Sequence, residues 1–207
     1  MRPLPRLLAV SNDAICRAPD FAARAAGIAA AGAAAGVLVR APEASAAEHA
    51  GFAERGAAAL SGSAALLLLH ARPDLARAVD AGGVQLRRDD LPAEAARAVL
   101  GPGWIGVAVH SRAEAEAAIA EGADFVVAGN VFATASHPDR PARGTAWLAE
   151  LCSVPKPVIA IGGITPARAA EVRRAGAWGV AAIAALWEVS DSAAAAFALL
   201  AAWEDAA

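Results

Sequence analysis

The chain has 207 residues, of which 57% are hydrophobic and 19% are charged. This composition excludes an intrinsically disordered protein, because such chains combine low hydrophobicity with high net charge. The formal net charge of −3 argues against nonspecific binding to nucleic acid, which depends on an excess of Lys and Arg. Since a domain commonly has about 150 residues, the length predicts a single domain over residues 1–207.

The hydrophobic excess is mainly alanine and does not predict a membrane partner. Alanine-rich stretches carry Arg, Asp or Glu every few residues, and no run of about 18 strongly apolar residues occurs. The first apolar run, 7–10, stops at a polar Ser-Asn-Asp triplet and is too short for a signal peptide. Cys16 and Cys152 lie far apart and have no metal-ligand spacing, so we expect buried, unpaired thiols in a cytoplasmic protein.

Eight short apolar runs recur along the chain and predict β-strands. Each has four or five residues without strict polar alternation, which is typical of parallel strands that are covered on both faces. The runs occupy residues 7–10, 36–39, 65–69, 83–86, 105–109, 124–128, 157–161 and 179–182.

Two segments between these runs carry clear helix signals. Ser111 precedes the helical pattern 112–120 as a plausible N-cap. A second helix is predicted to follow Thr165, with Pro166 at its first position and a basic pair and Gly176 at its end. Successive strands begin about 18 to 33 residues apart, the size of a βα unit.

The pattern predicts an α/β fold, a single compact (β/α)₈ TIM barrel. The alternative is an open doubly wound sheet, which would favour a glycine-rich turn after the first strand. Here the glycine pair, Gly162-Gly163, follows the seventh run instead.

The strongest local signal is this glycine pair, which precedes a predicted helix. Two glycines let the backbone approach a ligand closely, and a helix N-terminus attracts anions. In barrels this region and the turn after the eighth strand, here Ala184-Ala185, commonly bind phosphate. The alternative interpretation is a turn that serves only to reverse the chain.

A long polar loop over residues 133–144 is the second signal. It contains Thr134, His137 and Arg143, and long loops on compact barrels are usually functional. The alternative is a solvated loop. Neither a Gly-x-Ser-x-Gly elbow nor a phosphate-binding Walker loop occurs in the sequence.

Four segments together resemble the thiamine phosphate synthase and TenI-type thiazole tautomerase family. They are residues 106–111 (GVAVHS), 122–134 (GADFVVAGNVFAT), 157–166 (PVIAIGGITP) and 175–180 (AGAWGV). The resemblance implies a (β/α)₈ barrel of thiamin biosynthesis. The synthase joins a pyrimidine pyrophosphate to a thiazole phosphate with Mg²⁺, whereas the tautomerase aromatises a thiazole carboxylate phosphate by moving a proton.

Some residues transfer directly from the family pattern. Arg40 matches the arginine after the second strand and Thr134 a loop threonine, so both are candidate catalytic residues. Gly162 and Gly163 match the glycines of the thiazole-phosphate site, and Asp90 matches a carboxylate that binds Mg²⁺. The resemblance also makes candidate substrate contacts of Asn130, Arg143, Ala184 and Ala185.

Other positions depart from the family pattern. Pro42 replaces a lysine, and His70-Ala71 replaces an Asn-Asp pair, so one Mg²⁺-binding carboxylate is missing. Further synthase residues are replaced by Gln85, Ala108 and His137. Asn130 stands where the tautomerase has its catalytic histidine, and an amide cannot shuttle protons.

Three residues are therefore candidates for proton transfer. His137 is the first, because an unperturbed imidazole titrates near pH 6.5. Asp90 is the second and would need burial to raise its pKa. His110 is ranked third, because its position at a strand end is better suited to a structural hydrogen bond than to proton transfer. His49, in a helical segment, is expected at the surface.

We expect a diverged synthase or a tautomerase-like enzyme that binds a thiazole phosphate, and also a pyrimidine pyrophosphate if it is a synthase. The alternative is a noncatalytic thiazole-phosphate-binding paralogue.

Three arginines could neutralise a pyrophosphate in place of Mg²⁺, because arginine pairs with phosphate bidentately. They are Arg72, Arg87 and Arg88, and the alternative is that they are solvated surface residues. A homodimer is compatible with the sequence, which does not determine the oligomeric state.

Overall fold

The computed structural model describes residues 2–134 and 141–205, and within them eight parallel strands close into a barrel in sequence order. The prediction of a (β/α)₈ barrel is confirmed, and each predicted strand end lies within one residue of the observed one. The strands are β1 (Leu7–Val10), β2 (Ala35–Val39), β3 (Leu66–His70), β4 (Gly83–Leu86), β5 (Trp104–Val109), β6 (Phe125–Ala128), β7 (Val158–Ile161) and β8 (Gly179–Ala182).

Helices follow the strands and surround the barrel. The helix predicted over residues 112–120 and the helix predicted to begin at Pro166 are both present with the expected ends. The α-helices of the described residues are α1 (Asp13–Arg17), α2 (Phe21–Ala29), α3 (Ala46–Ala59), α4 (Pro73–Ala78), α5 (Ala93–Leu100), α6 (Arg112–Ala120), α7 (Gly144–Leu151), α8 (Pro166–Arg174), α9 (Ala184–Trp187) and α10 (Ser192–Glu204). Among them, none has the length and apolarity that crossing a lipid bilayer requires.

Of the two predicted N-cap residues, one forms the expected capping hydrogen bond and the other does not. The Ser111 hydroxyl accepts from the backbone N–H of Glu114 at 3.2 Å, as expected of an N-cap. Thr165 occupies the N-cap position of α8, but its side chain makes no capping bond. Of the two free cysteines, Cys16 is buried as expected, whereas Cys152 is only half-buried.

Side chains alternate along each strand between the barrel interior and the layer under the helices. On β1, for example, Leu7 and Ala9 pack under the helices, whereas Leu8 and Val10 point into the barrel. The interior cluster contains Leu8, Val10, Leu38, Leu66, Leu68, Phe125, Val127, Ile159 and Ala181. The interior is therefore a packed core, and ligands have access only at its ends.

Gly106 on β5 makes room for the largest interior side chain. A Cβ at this position would overlap the ring of Phe125, which is fully buried. Glycine is therefore required here by packing, although the position lies within a strand, where glycine is otherwise unfavourable.

We expect Gly106→Ala to destabilise the protein by about 1–3 kcal/mol, because the added methyl group overpacks the interior. Gly51→Ala is the matched control: it lies within α3, where a Cβ would meet no atom within 4 Å. This control should stabilise the protein by about 0.5–1 kcal/mol, since alanine favours helix. Urea unfolding of both variants measures the difference, and equal stabilities would contradict the packing argument.

Candidate functional site

The two-residue alternation continues past the ends of the strands and brings polar side chains to the carboxyl-terminal mouth of the barrel. Leu38 and Leu68 are interior residues, so Arg40 and His70, each two positions later, also face inward. Gln85 lies beside His70 in the β3–β4 register and is likewise buried. The mouth is where barrels of this kind carry their chemistry.

Arg40 brings an uncompensated positive charge to this mouth. Its backbone N–H donates to the buried Ser11 hydroxyl at 2.8 Å, which fixes the start of the β2–α3 loop. Its guanidinium forms neither a hydrogen bond nor an ion pair with any of the described residues. Burial lowers the pKa of Arg40, although the nearby Asp13 opposes the shift. A half-buried cation without an ion-pair or hydrogen-bond partner among the described residues favours an anionic ligand.

His70 lies next to Arg40 and is 4% exposed. Its imidazole has no hydrogen-bond partner within the described part of the chain. Burial, reinforced by the charge of Arg40, lowers the pKa of His70 to about 4. From the sequence alone, His70 stands out only as a departure from the family pattern. Its signal was the position two residues after an interior leucine, which places the imidazole in the mouth.

Asp90, the candidate metal ligand, is bound on both carboxylate oxygens by Arg87. Oδ2 accepts from the backbone N–H of Arg87 at 2.7 Å, and Oδ1 accepts from its Nε at 3.1 Å and Nη2 at 2.9 Å. Burial raises the pKa of Asp90, but the bonds from Arg87 outweigh it and the net shift is downward. Asp90 therefore remains a carboxylate, which does not suit a general acid at neutral pH.

Arg72 is paired in the same way. Its Nε and Nη2 donate to the two oxygens of Asp74 at 2.8 and 2.6 Å. Arg72 and Arg87 would have to leave these carboxylates to neutralise a pyrophosphate, and Arg88 is exposed. Their role in pyrophosphate binding stays a prediction.

The glycine turn after β7 packs against the loop after β6. Gly162 and Gly163 have φ angles of +106° and +62°, which favour glycine. A Cβ on Gly163 would lie 2.5 Å from the Ala133 carbonyl oxygen and 2.8 Å from Phe132 Cβ. The backbone N–H of Phe132 donates to the Gly162 carbonyl at 3.1 Å. The two glycines therefore allow the β6–α7 loop to pack directly on this turn, in addition to reversing the chain direction.

The same turn presents unsatisfied donors. Within the described residues, the backbone N–H groups of Gly163, Ala184 and Ala185 have no hydrogen-bond acceptor. The β7–β8 register pairs Ile161 with Ala181, so the two turns lie side by side. Adjacent backbone N–H groups without acceptors attract anions.

Arg168, in the first turn of α8, is a contributor that the sequence analysis missed. Its Nη1 donates to the Gly163 carbonyl at 2.7 Å, and its guanidinium lies 4.6 Å from the centre of the Phe132 ring. One side chain therefore fixes the orientation of the glycine turn and holds the β6–α7 loop on it. The sequence signal was an arginine three residues after a helix N-cap.

The β6–α7 loop contains most of the other candidates. Asn130 follows β6, and its amide Nδ2 donates to the Phe132 carbonyl at 3.4 Å. Thr134 is the last described residue before the gap. Arg143 donates to the His110 carbonyl at 2.6 Å and stacks on Trp147 at 5.1 Å, so it anchors the end of the loop. The roles of all three in substrate binding or catalysis stay predictions.

The histidines have distinct environments. His110 Nδ1 donates to the Gly129 carbonyl at 2.9 Å, which confirms the predicted structural hydrogen bond at the end of β5. His49 was expected at the surface, but it is half-buried, and its Nε2 is buried without a partner among the described residues. The expectation was wrong because α3 turns this side chain toward the protein. His137 lies outside the described residues, so its role stays a prediction.

Comparison with known proteins identifies the family. Residues 7–186 match the sequence pattern of the family described as thiamine monophosphate synthase. The chain belongs to this family. A solved structure, thiamine phosphate pyrophosphorylase from Pyrococcus furiosus, superposes with a TM-score of 0.81 at 32% sequence identity, over 97% of this chain and 96% of that one.

Curated relatives agree with this assignment. The thiamine-phosphate synthase of Chloroflexus aurantiacus is 41% identical over 134 residues, which cover 63% of this chain and 61% of the relative. That of Roseiflexus castenholzii is 45% identical over 136 residues, covering 64% and 60%. The chain thus spans about three fifths of the length of these two relatives.

We expect Gly163→Ala to be more destabilising than Gly32→Ala. Both glycines have φ near +60°, but a Cβ at Gly32 would meet no atom within 4 Å. Backbone strain alone should cost about 1–2 kcal/mol at either position. At Gly163 the clash with the β6–α7 loop adds to it. Thermal unfolding of the two variants measures the contrast, and equal losses would mean that the loop does not depend on the glycine.

His70 should make stability depend on pH. Its folded pKa of about 4 lies below the ordinary histidine value, so the folded state binds fewer protons between these two pH values. Stability is therefore lost as pH falls from about 6.5 to about 4, by at most ~3 kcal/mol for this group. The groups that face His70 are Arg40, Asp90, Arg87 and His49.

His70→Gln should remove this contribution. We expect the difference in unfolding free energy between pH 7 and pH 4.5 to be smaller in the variant than in the parent protein. Urea unfolding at both pH values provides the measurement. An unchanged difference would show that His70 does not titrate with a depressed pKa.

Proposed function

We propose that this protein binds a phosphorylated thiazole of thiamin biosynthesis and acts on it as an isomerase of the tautomerase class. The observation that supports this best is the distribution of charge at the barrel mouth. Free backbone N–H groups line one side, and one uncompensated guanidinium lies on the other. The family supports the pathway, and the charge distribution supports the choice of reaction.

The phosphate is assigned to the turns after β7 and β8. The N–H groups of Gly163, Ala184 and Ala185 lack acceptors among the described residues, and α8 begins beside them. Backbone N–H groups at such a turn bind a phosphate without a cationic side chain. Arg168 keeps the turn in this orientation through its bond to Gly163.

The thiazole ring would extend from this phosphate across the mouth. In a barrel whose eight strands follow sequence order, β3 lies opposite β7 and β2 opposite β6. A ligand whose phosphate binds at β7 therefore directs its other end toward Arg40 and His70. A carboxylate on the ring would supply the counterion that Arg40 lacks, because a guanidinium binds a carboxylate bidentately.

The residues present fit Mg²⁺ poorly. Arg87 engages both oxygens of Asp90, and Ala71 offers no second carboxylate. Within the ranges 2–134 and 141–205, no three His, Cys, Asp or Glu side chains form a cluster that could hold a metal ion. Mg²⁺ prefers several oxygen ligands, so this donor set is incomplete.

A thiamine phosphate synthase is the second candidate. It is favoured by the names of the relatives from Chloroflexus aurantiacus and Roseiflexus castenholzii, which are thiamine-phosphate synthases. It requires a pyrimidine pyrophosphate at the mouth, and hence more positive charge than Arg40 alone supplies. Noncatalytic binding of a thiazole phosphate is the remaining alternative, because Asn130 cannot transfer protons.

Arg40→Gln should lower the affinity for the thiazole carboxylate phosphate by about 10- to 100-fold, since charged hydrogen bonds contribute about 1.5–3 kcal/mol. The affinity for the same phosphate without the carboxylate should change by less than about threefold, because that ligand lacks the group that Arg40 binds. Arg88→Gln, an exposed arginine at the same end of the barrel, is the control. Isothermal titration calorimetry with both ligands measures the contrast.

Turnover separates the candidates. The unmodified protein is assayed for isomerisation of the thiazole carboxylate phosphate, and for synthase activity with Mg²⁺ or with EDTA. We expect isomerisation that is insensitive to EDTA. Synthase activity that requires Mg²⁺, without isomerisation, would replace our proposal with the second candidate. Binding without either reaction would favour the noncatalytic alternative, and failure to bind either thiazole would refute the assignment.

A further inference from the structure

We infer that His70 is the proton-transfer residue of this site, in place of the histidine that is absent at Asn130. The inference rests on the proposed isomerase function. It assigns catalysis to a side chain at the end of β3, on the side of the barrel opposite the phosphate-binding turns.

Asp90 and Asn130 are excluded by their chemistry, whereas His110 must be separated from His70 by experiment. His110 donates Nδ1–H to the Gly129 carbonyl, which fixes its ring at the end of β5 and leaves Nε2 able to accept a proton. Asp90 has Arg87 on both oxygens and stays ionised. The amide of Asn130 neither accepts nor releases a proton at neutral pH.

His70 has the opposite character. Its side chain is 4% exposed but makes no hydrogen bond within the described residues. Buried polar groups normally have partners, so an imidazole held without one needs an explanation. Neither ring nitrogen of His70 is fully enclosed by protein, in contrast to His49 Nε2, so a ligand can contact it. A bound ligand in the mouth would supply the missing partner.

The neighbouring charges set the proton affinity of His70 in a way that depends on the ligand. Arg40 and Arg87 disfavour protonation, as does His49, whereas Asp90 favours it. In the free protein burial and Arg40 keep the imidazole neutral, so one ring nitrogen can accept a proton. A carboxylate bound to Arg40 would neutralise that charge. The basicity of His70 should therefore increase on binding, when proton transfer requires it.

The proposed step conserves atoms and electrons. A C–H bond of the nonaromatic ring tautomer breaks, and its proton moves to the free nitrogen of His70. The electron pair enters the ring and completes the aromatic system, while the far end of the conjugated system gains electron density. That carbon then takes a proton from the imidazolium, and His70 returns to its neutral form. No oxidant, reductant or metal ion takes part.

The first test compares His70→Gln with His110→Gln, His49→Gln and His137→Gln in the isomerisation assay. Removing a general acid–base residue typically lowers the rate by about 10²–10⁴-fold, so kcat should fall by this factor in His70→Gln alone. The affinity of His70→Gln for thiazole phosphate, measured by calorimetry, should stay within about threefold, because the phosphate lies across the mouth. Circular dichroism confirms that each variant is folded.

Two outcomes would overturn the inference and leave the proposed function intact. One is a His70→Gln variant that retains kcat within about threefold, and the other is a rate loss confined to His110→Gln or to His137→Gln. Failure of the unmodified protein to isomerise, with intact phosphate binding, would refute both the isomerase proposal and the role of His70. If calorimetry detects no binding of any thiazole phosphate, the proposed function is refuted before the role of His70 is tested.

A measurement on the unmodified protein covers the case in which His70→Gln does not fold. The ring nitrogens of His70 are followed by ¹⁵N NMR while the thiazole carboxylate phosphate is added. We expect the pKa of His70 to rise on binding, and to stay unchanged with the thiazole phosphate that lacks the carboxylate, because that ligand has no group to neutralise Arg40. Insensitivity of His70 to the carboxylated ligand would overturn the inference.

Discussion

The alternation of side chains along eight short parallel strands is the constraint on which the site depends. Every second residue of a strand must enter the barrel, and the interior accepts only close-packed apolar groups such as Leu38 and Leu68. Two residues later the same geometry brings Arg40 and His70 inward, at a level where the barrel opens. Polar groups can be buried there because a ligand can reach them, whereas one layer deeper they would have no partner.

Charge at the mouth is divided unevenly, and this division limits what the site can bind. Arg72 and Arg87 are each paired with a carboxylate two or three residues later in the chain, whereas Arg40 has no ion pair among the described residues. Exposed ion pairs contribute little to stability, but they do reduce the positive charge available to a ligand. On the opposite side, the turns after β7 and β8 offer backbone N–H groups, which bind phosphate without a side-chain cation.

The sequence predicted the fold well and the site only in part, for physical reasons. Strands buried on both faces leave a continuous apolar signature, and this is why every strand end could be predicted to within one residue. The His110 bond could also be predicted, because it depends on local position at the end of β5. The contact between Arg168 and Phe132 and the half-buried environment of His49 depend on how separate elements pack, which a sequence pattern does not encode.

The substitutions around Arg40 are consistent with one another in electrostatic terms. A divalent cation bound beside Arg40 would need carboxylates to offset two like charges, and here Ala71 supplies none while Asp90 is already paired with Arg87. A neutral imidazole, by contrast, adds no charge and tolerates the guanidinium next to it. The half of the mouth formed by β2 and β3 therefore offers one unpaired guanidinium with a neutral imidazole beside it. The proposed ligand would place a single carboxylate there, whereas a pyrophosphate would bring several charges, more than Arg40 can neutralise.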